Sequence, residues 1–439
     1  MKIFLPAIFL LATIPSIAQN TLRTQMDLAV NNIEQKVIAW RRDLHEHPEL
    51  GNQETRTAAL IAKHLQSLGI DIKTGVAHTG VVGILKGAKP GPTVALRADM
   101  DGLPVTERTA VPFASKVKVQ YNGKETGVMH ACGHDTHVAI LMGVAEILSS
   151  MKKELRGTVK FIFQPAEEGV PRGEEGGAEM MVKEGVLQNP QVDAIFGLHI
   201  NSQTEVGKIT YRLGGIYASS NDFKIIVKGR SAHGASPWSS VDPIVTAAQI
   251  INNLQTIVSR NLNISENAGI VTVGAINGGN RSNIIPEQVE MLGTIRALNS
   301  ADEKLLVERV SQVAIKTAES AGATAEVIIP YSTHYPVTFN DSSLTEKMIG
   351  SLQQSAGKEN VTTMVPRTGA EDFSFYQEKV PGMFFILGGM PKGGDAKLAP
   401  SHHTPDFYID ESGLKLGVKA LANLTIDYME MNQPTGKIK

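Results

Sequence analysis

Along its first two hundred residues the chain alternates short apolar β-type runs with helical stretches, which confines it to an α/β fold. Apolar residues recur at three- and four-residue spacing from residue 21 to 68, and Gly69 closes the second helix, over 54–68. Residues 80–85 and 93–97 read as strands separated by a turn at 88–92. Residues 137–151 read as an amphipathic helix, 159–163 as a strand, 177–184 as a helix and 194–198 as a strand. Strands joined through helices predict a mostly parallel sheet covered on both faces.

The pattern changes after residue 201. Strands over 218–227, 269–275, 287–297 and 324–329, with helices over 243–259 and 301–321, give the order β-α-β-β-α-β, the ferredoxin-like arrangement. That order is complete in itself. It predicts an α+β domain, residues 205–330, inserted between two parts of the first domain, 21–204 and 331–432. The second part carries a helix over 344–355, a strand over 382–387 and a last helix from 412, and residues 433–439 read as a loose tail.

Composition excludes several classes. Lys and Arg number 42 against 44 Asp and Glu, so the basic excess of a nucleic-acid binder is missing. The chain starts MKIFLPAIFLLATIPSIAQ, with Lys2, an apolar run interrupted by Pro6, and small residues at Ser16 and Ala18. This is the pattern of a secretory signal peptide over residues 1–18. The run is short for a membrane span, so an exported, periplasmic or secreted protein without membrane attachment is expected. Cys132 is the only cysteine, which rules out an internal disulfide.

The chemistry gathers where predicted strands end. Arg97 leads into Asp99 and Asp101, residues 161–164 lead into Glu167 and Glu168, and residues 196–198 lead into His199. In an open α/β sheet, sites lie beyond the carboxyl ends of the strands, so separate strands deliver acids and a histidine to one rim. A fourth contributor is His130-Ala131-Cys132-Gly133-His134-Asp135-Thr136-His137, and a fifth is His402-His403-Thr404-Pro405. Taken singly, His199 reads as a structural histidine, Glu167-Glu168 as a solvated loop and His402-His403 as surface. Their convergence favours a metal centre, because zinc and similar cations accept S, N and O donors together. A metal hydrolase uses such a cluster to polarise a carbonyl and acidify water, with an unliganded carboxylate taking the proton. A Cys132 nucleophile with a histidine base would use the same loop but leave the paired glutamates without a task.

These residues carry a resemblance. The run Arg41-Arg42-Asp43-Leu44-His45-Glu46-His47-Pro48-Glu49-Leu50, with Glu54 and Thr57, and the strings RADMDGLP, MHACGHDTH, QPAEEG, GLH, SAHGASP, NIIP, GTIR, GAEDFSF and HHTPDF occur in order. Together they resemble the M20 metallopeptidase family, and more narrowly its amidohydrolase branch of N-acyl-amino-acid, hippurate and auxin-conjugate hydrolases. The resemblance implies a dinuclear-metal catalytic domain with an inserted lid and dimerisation domain. It implies Cys132, His134, Glu168, His199 and His403 as ligands of two divalent metal ions (zinc, manganese, nickel or cobalt), Cys132 bridging. It implies Glu167 as the general acid/base, Asp101 as an acid orienting a ligand histidine, and His233 as a lid donor to the oxyanion. Asn283 and Arg296 resemble residues that hold a substrate carboxylate. Ser239-Ser240 stand where the family often has glycine after the SAHGASP turn. GAEDFSF matches a loop near the site, with no role attached. The implied activity is hydrolysis of the amide of an N-acyl amino acid or related conjugate, with a homodimer through the lid left open. The alternatives are a carboxypeptidase or dipeptidase of the same superfamily, a non-catalytic metal-binding protein and a cysteine hydrolase.

Overall fold

The computed structural model describes residues 16–433 except Arg172 and Thr333. The expected signal segment therefore lies outside the described residues up to residue 15, as does the expected tail from residue 434. The first described helix is Ser16–Glu46. Among the described residues, no helix is long and apolar enough to cross a membrane.

The large sheet has eight strands. In spatial order they are Asp71–Val76, Gly80–Lys86, Arg156–Gln164, Lys89–Asp99, Ala194–Glu205, Gly382–Met390, Ile209–Tyr211 and Val361–Thr363. The four central strands, from Arg156–Gln164 to Gly382–Met390, run parallel to one another. Antiparallel pairs flank them. Side chains alternate across this sheet, as the pleat requires. Val94, Leu96 and Ala98 enter one core with the helices Ser16–Glu46, His134–Ser150 and Leu414–Met431. Ala95, Ile162, Ile195 and Phe384 enter a second core on the opposite face.

The helix His134–Ser150 departs from its amphipathic reading: it is buried on nearly every face. It lies between the sheet and the two long helices, so no side is left for water. Its neighbour Lys89–Asp99 also differs from expectation. The Pro-Gly-Pro segment at 90–92 belongs to the strand and only shifts its register, between Lys89 and Thr93.

The smaller unit has a sheet in the order Gly269–Gly278, Gln288–Ala297, Ser220–Lys228 and Thr324–Ile328, antiparallel throughout. The helices Pro243–Asn261 and Ser300–Ser320 pack on it around a separate core. It begins later than residue 205. Ile209–Tyr211 pairs with Gly382–Met390 in the large sheet, and Gly214–Tyr217 pairs with Thr338–Asn340. The chain crosses over at about Ser219–Ser220 and returns near His334–Tyr335, where those two residues pair with Ser220 and Asn221. A three-residue strand is too short to show a period in sequence, which is why the earlier boundary was expected.

Candidate active site

The four central parallel strands point their carboxyl ends at one rim, and loops there carry the chemistry. Lys89–Asp99 is followed at once by Asp101, and Arg156–Gln164 by Glu167 and Glu168. His199 departs from the strand-end expectation, because Ala194–Glu205 continues past it and pairs it with Ile386 inside the sheet.

Two of these loops hold strained backbone. Ala166 has φ 51° and His403 has φ 63°, left-handed values that a residue with Cβ adopts at a cost. Each is tied down. The buried Glu54 accepts the Ala166 N–H at 2.8 Å, and the His403 N–H donates to Ala131 O at 2.9 Å. Gly133, between Cys132 and His134, has φ 94°, and a Cβ there would meet Ile200 Cγ2 at 2.4 Å. Glycine is therefore required between the two side chains.

The side chains then form two triads that share one sulfur. Cys132, His134 and His199 offer donor atoms within 4.8 Å of one another, and so do Cys132, Glu168 and His403. Cys132 Sγ lies 3.3 Å from both His199 Nε2 and His403 Nε2, and His403 Nε2 lies 3.0 Å from Glu168 Oε1. Partners elsewhere orient the imidazoles. His199 Nδ1–H donates to Ile200 O at 2.6 Å, and His134 Nδ1–H donates to Asp101 Oδ1 at 3.1 Å. Each Nε2 is thus turned towards the cluster, where a cation would take the place of any proton. Asp101 also accepts the Glu168 N–H at 2.9 Å, so one carboxylate holds two candidate ligands. His402 is engaged otherwise. Its Nδ1–H donates to Cys132 O at 3.1 Å, and its Nε2 accepts the Ser202 N–H at 3.2 Å.

The donors fit a pair of divalent cations. The buried His134 Nε2 makes no hydrogen bond with any described residue, and an unmatched polar atom in the interior is costly. Burial, then Glu168 and Glu167, push the Cys132 thiol well above its usual range. An unassisted thiolate nucleophile is disfavoured in such a place, whereas a cation reverses the balance. Burial alone would lower His134, but Asp99 and Asp101 outweigh it and carry the imidazole to about 10.

Glu167 is buried, accepts no hydrogen bond on its carboxylate from any described residue and lines a cavity of about 240 Å³ with Cys132, Glu168, His199 and His403. Burial, then the carboxylates of Glu371, Glu168 and Asp372, push it well above the usual carboxylate range. Tyr335 fixes its backbone by donating to Glu167 O at 2.8 Å.

His233, Asn283 and Arg296 are not part of this cavity. His233 lies exposed on the short ladder Ala232–His233 with Ile284–Ile285 in the smaller unit, and Asn283 O accepts the Gly234 N–H beside it. His233 Nδ1 accepts the Ala235 N–H at 3.0 Å, which leaves Nε2–H as a donor. Arg296 lines a different cleft, with Asp222 and Tyr331, on that unit's sheet.

A buried network behind the site was not read from the sequence. Arg97 is fully buried and meets Asp99 at 2.5 Å, Asp372 at 2.7 Å and Glu371 at 3.0 Å. Asp99 accepts from His137 Nδ1 at 2.5 Å, and His137 Nε2 accepts the Ile200 N–H, next to His199. The signal was available in the alternation of residues 93–99, which puts Arg97 on the inward side with Ala95, and in the unassigned GAEDFSF run.

Fold and site together define a metal-dependent hydrolase of amide bonds, with its donors on the carboxyl edge of a parallel sheet. Comparisons with known proteins agree. The profile of Peptidase family M20/M25/M40 matches residues 95–427. Thermostable carboxypeptidase 2 of Saccharolobus solfataricus is 40% identical over 400 residues, 91% of this chain and 97% of that protein. N-acetylcysteine deacetylase of Bacillus subtilis is 38% identical over 398 residues, 90% of this chain and 97% of that protein. The crystal structure of the Bacillus subtilis YXEP protein, described as a dinuclear metal binding peptidase from the M20 family, superposes with a TM-score of 0.74 at 35% identity. It covers 91% of this chain and 99% of that one. The chain belongs to the M20 peptidase family.

Proposed function

We propose that the protein hydrolyses the amide bond of N-acyl amino acids or related amino-acid conjugates, as an exported enzyme acting in the periplasm or the medium. One observation carries the reading: the carboxylate of Glu167, unbonded among the described residues, stands in the same cavity as Cys132, Glu168, His199 and His403 of the two triads. Cys132, His134 and His199 would hold one cation, and Cys132, Glu168 and His403 the other, drawn from zinc, manganese, nickel or cobalt. Two such cations would supply Lewis acidity, polarising the scissile carbonyl and lowering the pKa of water and of Glu167 together.

Glu167 then takes a proton from the attacking water and returns it to the leaving amine. The carboxylate of Glu168, its neighbour, is turned to His403 while its backbone N–H is held by Asp101, so the adjacent acids divide into a ligand and a base. His233 Nε2–H would steady the oxyanion, and Asn283 and Arg296 would approach the amino-acid end. Closure of the smaller unit, or the same unit of a second copy, would have to bring them in. Exposed Trp238, Ile244, Val245, Ile276 and Ile284 on that unit support pairing with a second copy.

Glu167→Gln tests the proton role. The variant should bind the metals as wild type does, by elemental analysis, and lose about two to four orders of magnitude in kcat. Near-normal turnover would refute the assignment. The 40% identity to a carboxypeptidase keeps peptides with a free C-terminus as the second reading. N-acetyl amino acids, hippurate and dipeptides assayed side by side separate the two.

A further inference from the structure

One more charged side chain reaches the Glu167 cavity, and neither the candidate ligands nor the base uses it. Arg367 lies just before the GAEDFSF run and lines the cavity with Tyr217 and Glu371. Its backbone is pinned on both sides: the N–H donates to Ile216 O at 2.9 Å, and the carbonyl accepts the Ala218 N–H at 3.0 Å. The guanidinium is therefore presented from a fixed place beside the strand Gly214–Tyr217. The residue is half-buried, and its side chain makes no hydrogen bond or ion pair with any described residue.

The acids around it are committed elsewhere. Glu371 meets Arg97 Nη2 at 3.0 Å and accepts the Phe373 N–H at 3.0 Å. Glu168 meets His403. Glu167 faces the place where water would react. The Tyr217 hydroxyl, lining the same cavity, also has no partner among the described residues. Burial pushes that phenol up, so at neutral pH it remains a donor. A partly desolvated guanidinium without a counter-ion is costly, and its planar fork matches the two oxygens of a carboxylate. The candidate cations would offset the acids at the triads, and at this end of the cavity the guanidinium is the cation that a substrate anion would meet. Arg296 cannot serve in a single chain, because it lines another cleft.

We propose that Arg367, assisted by the Tyr217 hydroxyl, binds a carboxylate of the substrate and so selects amides that carry a free carboxylate close to the scissile bond. This rests on the amide-hydrolase reading above. It adds a specificity determinant supplied by the catalytic unit itself.

The test uses metal-loaded full-length protein, wild type against Arg367→Met and Arg367→Lys. Three substrates are compared: N-acetyl-L-methionine, N-acetyl-L-methioninamide and N-succinyl-L-methioninamide, whose only carboxylate is on the acyl arm. In Arg367→Met, kcat/KM for a carboxylate-bearing substrate should fall roughly 100-fold, mainly through KM, while N-acetyl-L-methioninamide changes less than about threefold. Arg367→Lys should recover part of the loss. A loss confined to N-acetyl-L-methionine assigns the amino-acid carboxylate, and a loss confined to the succinyl compound assigns the acyl arm. An equal loss on all three, or no loss, overturns the proposal. Calorimetry with the same compounds on Glu167→Gln, with and without Arg367→Met, separates this from the catalytic reading. If wild type hydrolyses none of the three, that reading fails, and the carboxylate site is judged by whether binding of the acids, and not of the neutral amide, requires Arg367. Absence of any acid binding overturns it as well.

Discussion

At the scale of single residues, Asp101 shows how much depends on a group that touches no substrate. One oxygen takes the proton of His134 Nδ1, and the other takes the backbone N–H of Glu168. Asp101→Asn keeps the shape but removes the charge and turns one acceptor into a donor that must face another donor. Metal affinity should fall about 10- to 100-fold, read by metal titration calorimetry. An unchanged affinity would mean that Asp101 does not orient the pair. The cluster of Cys132, His134, Glu168, His199 and His403 was legible in sequence because four separate strings each carried unusual residue types. Arg97, Tyr217, Tyr335 and Arg367 were not. Arginine and tyrosine are common on surfaces, and only the fold shows that Arg97 is wholly enclosed or that Arg367 has no counter-ion among the described residues.

At the scale of elements, the helix Thr55–Ser67 carries a titration of its own. His64 packs edge-on against Trp40, and its ring bonds Met142 O at 3.0 Å. Burial, partly opposed by that bond, lowers its pKa from 6.5. Below 6.5 the unfolded chain binds a proton that the folded helix resists, so stability should fall as pH drops through that value towards the lower native pKa. Chemical denaturation should show a shallower decline for His64→Gln over the same range, and identical slopes would remove His64 as the cause. The strands and long helices were readable from period alone, since 2.0 and 3.6 leave different patterns. Other features were not, among them the edge strands Asp71–Val76 and Val361–Thr363. The strand Ile209–Tyr211 is too short to show a period, and His134–Ser150 is buried all round. Its polar Asp135 and His137 mimic an outward face while bonding inward to Arg41 and Asp99.

At the scale of the whole molecule, the candidate ligands tie distant segments together, because Cys132 and His403 meet across 271 positions of chain. Cations that bind the folded form alone stabilise it by mass action, by about 2.7 kcal/mol at a hundredfold excess over Kd. Chelated protein should therefore melt lower than loaded protein and recover on adding metal, as scanning calorimetry would show. Equal melting temperatures would mean that the donors hold no cation. Loading should also release protons and weaken as the solution becomes more acidic, because His134 carries a proton up to about 10 when no cation holds it.

The pairing of Cys132 with His403 has a consequence for the order of events on the ribosome. Sulfur, the first imidazole and both glutamates are translated early. The last imidazole emerges only after the whole smaller unit has been made and the path has returned to the large sheet. A nascent polypeptide halted anywhere before that return offers an open, incomplete basket. A cation between Cys132 and His403 would therefore be captured only once residue 403 has joined the fold.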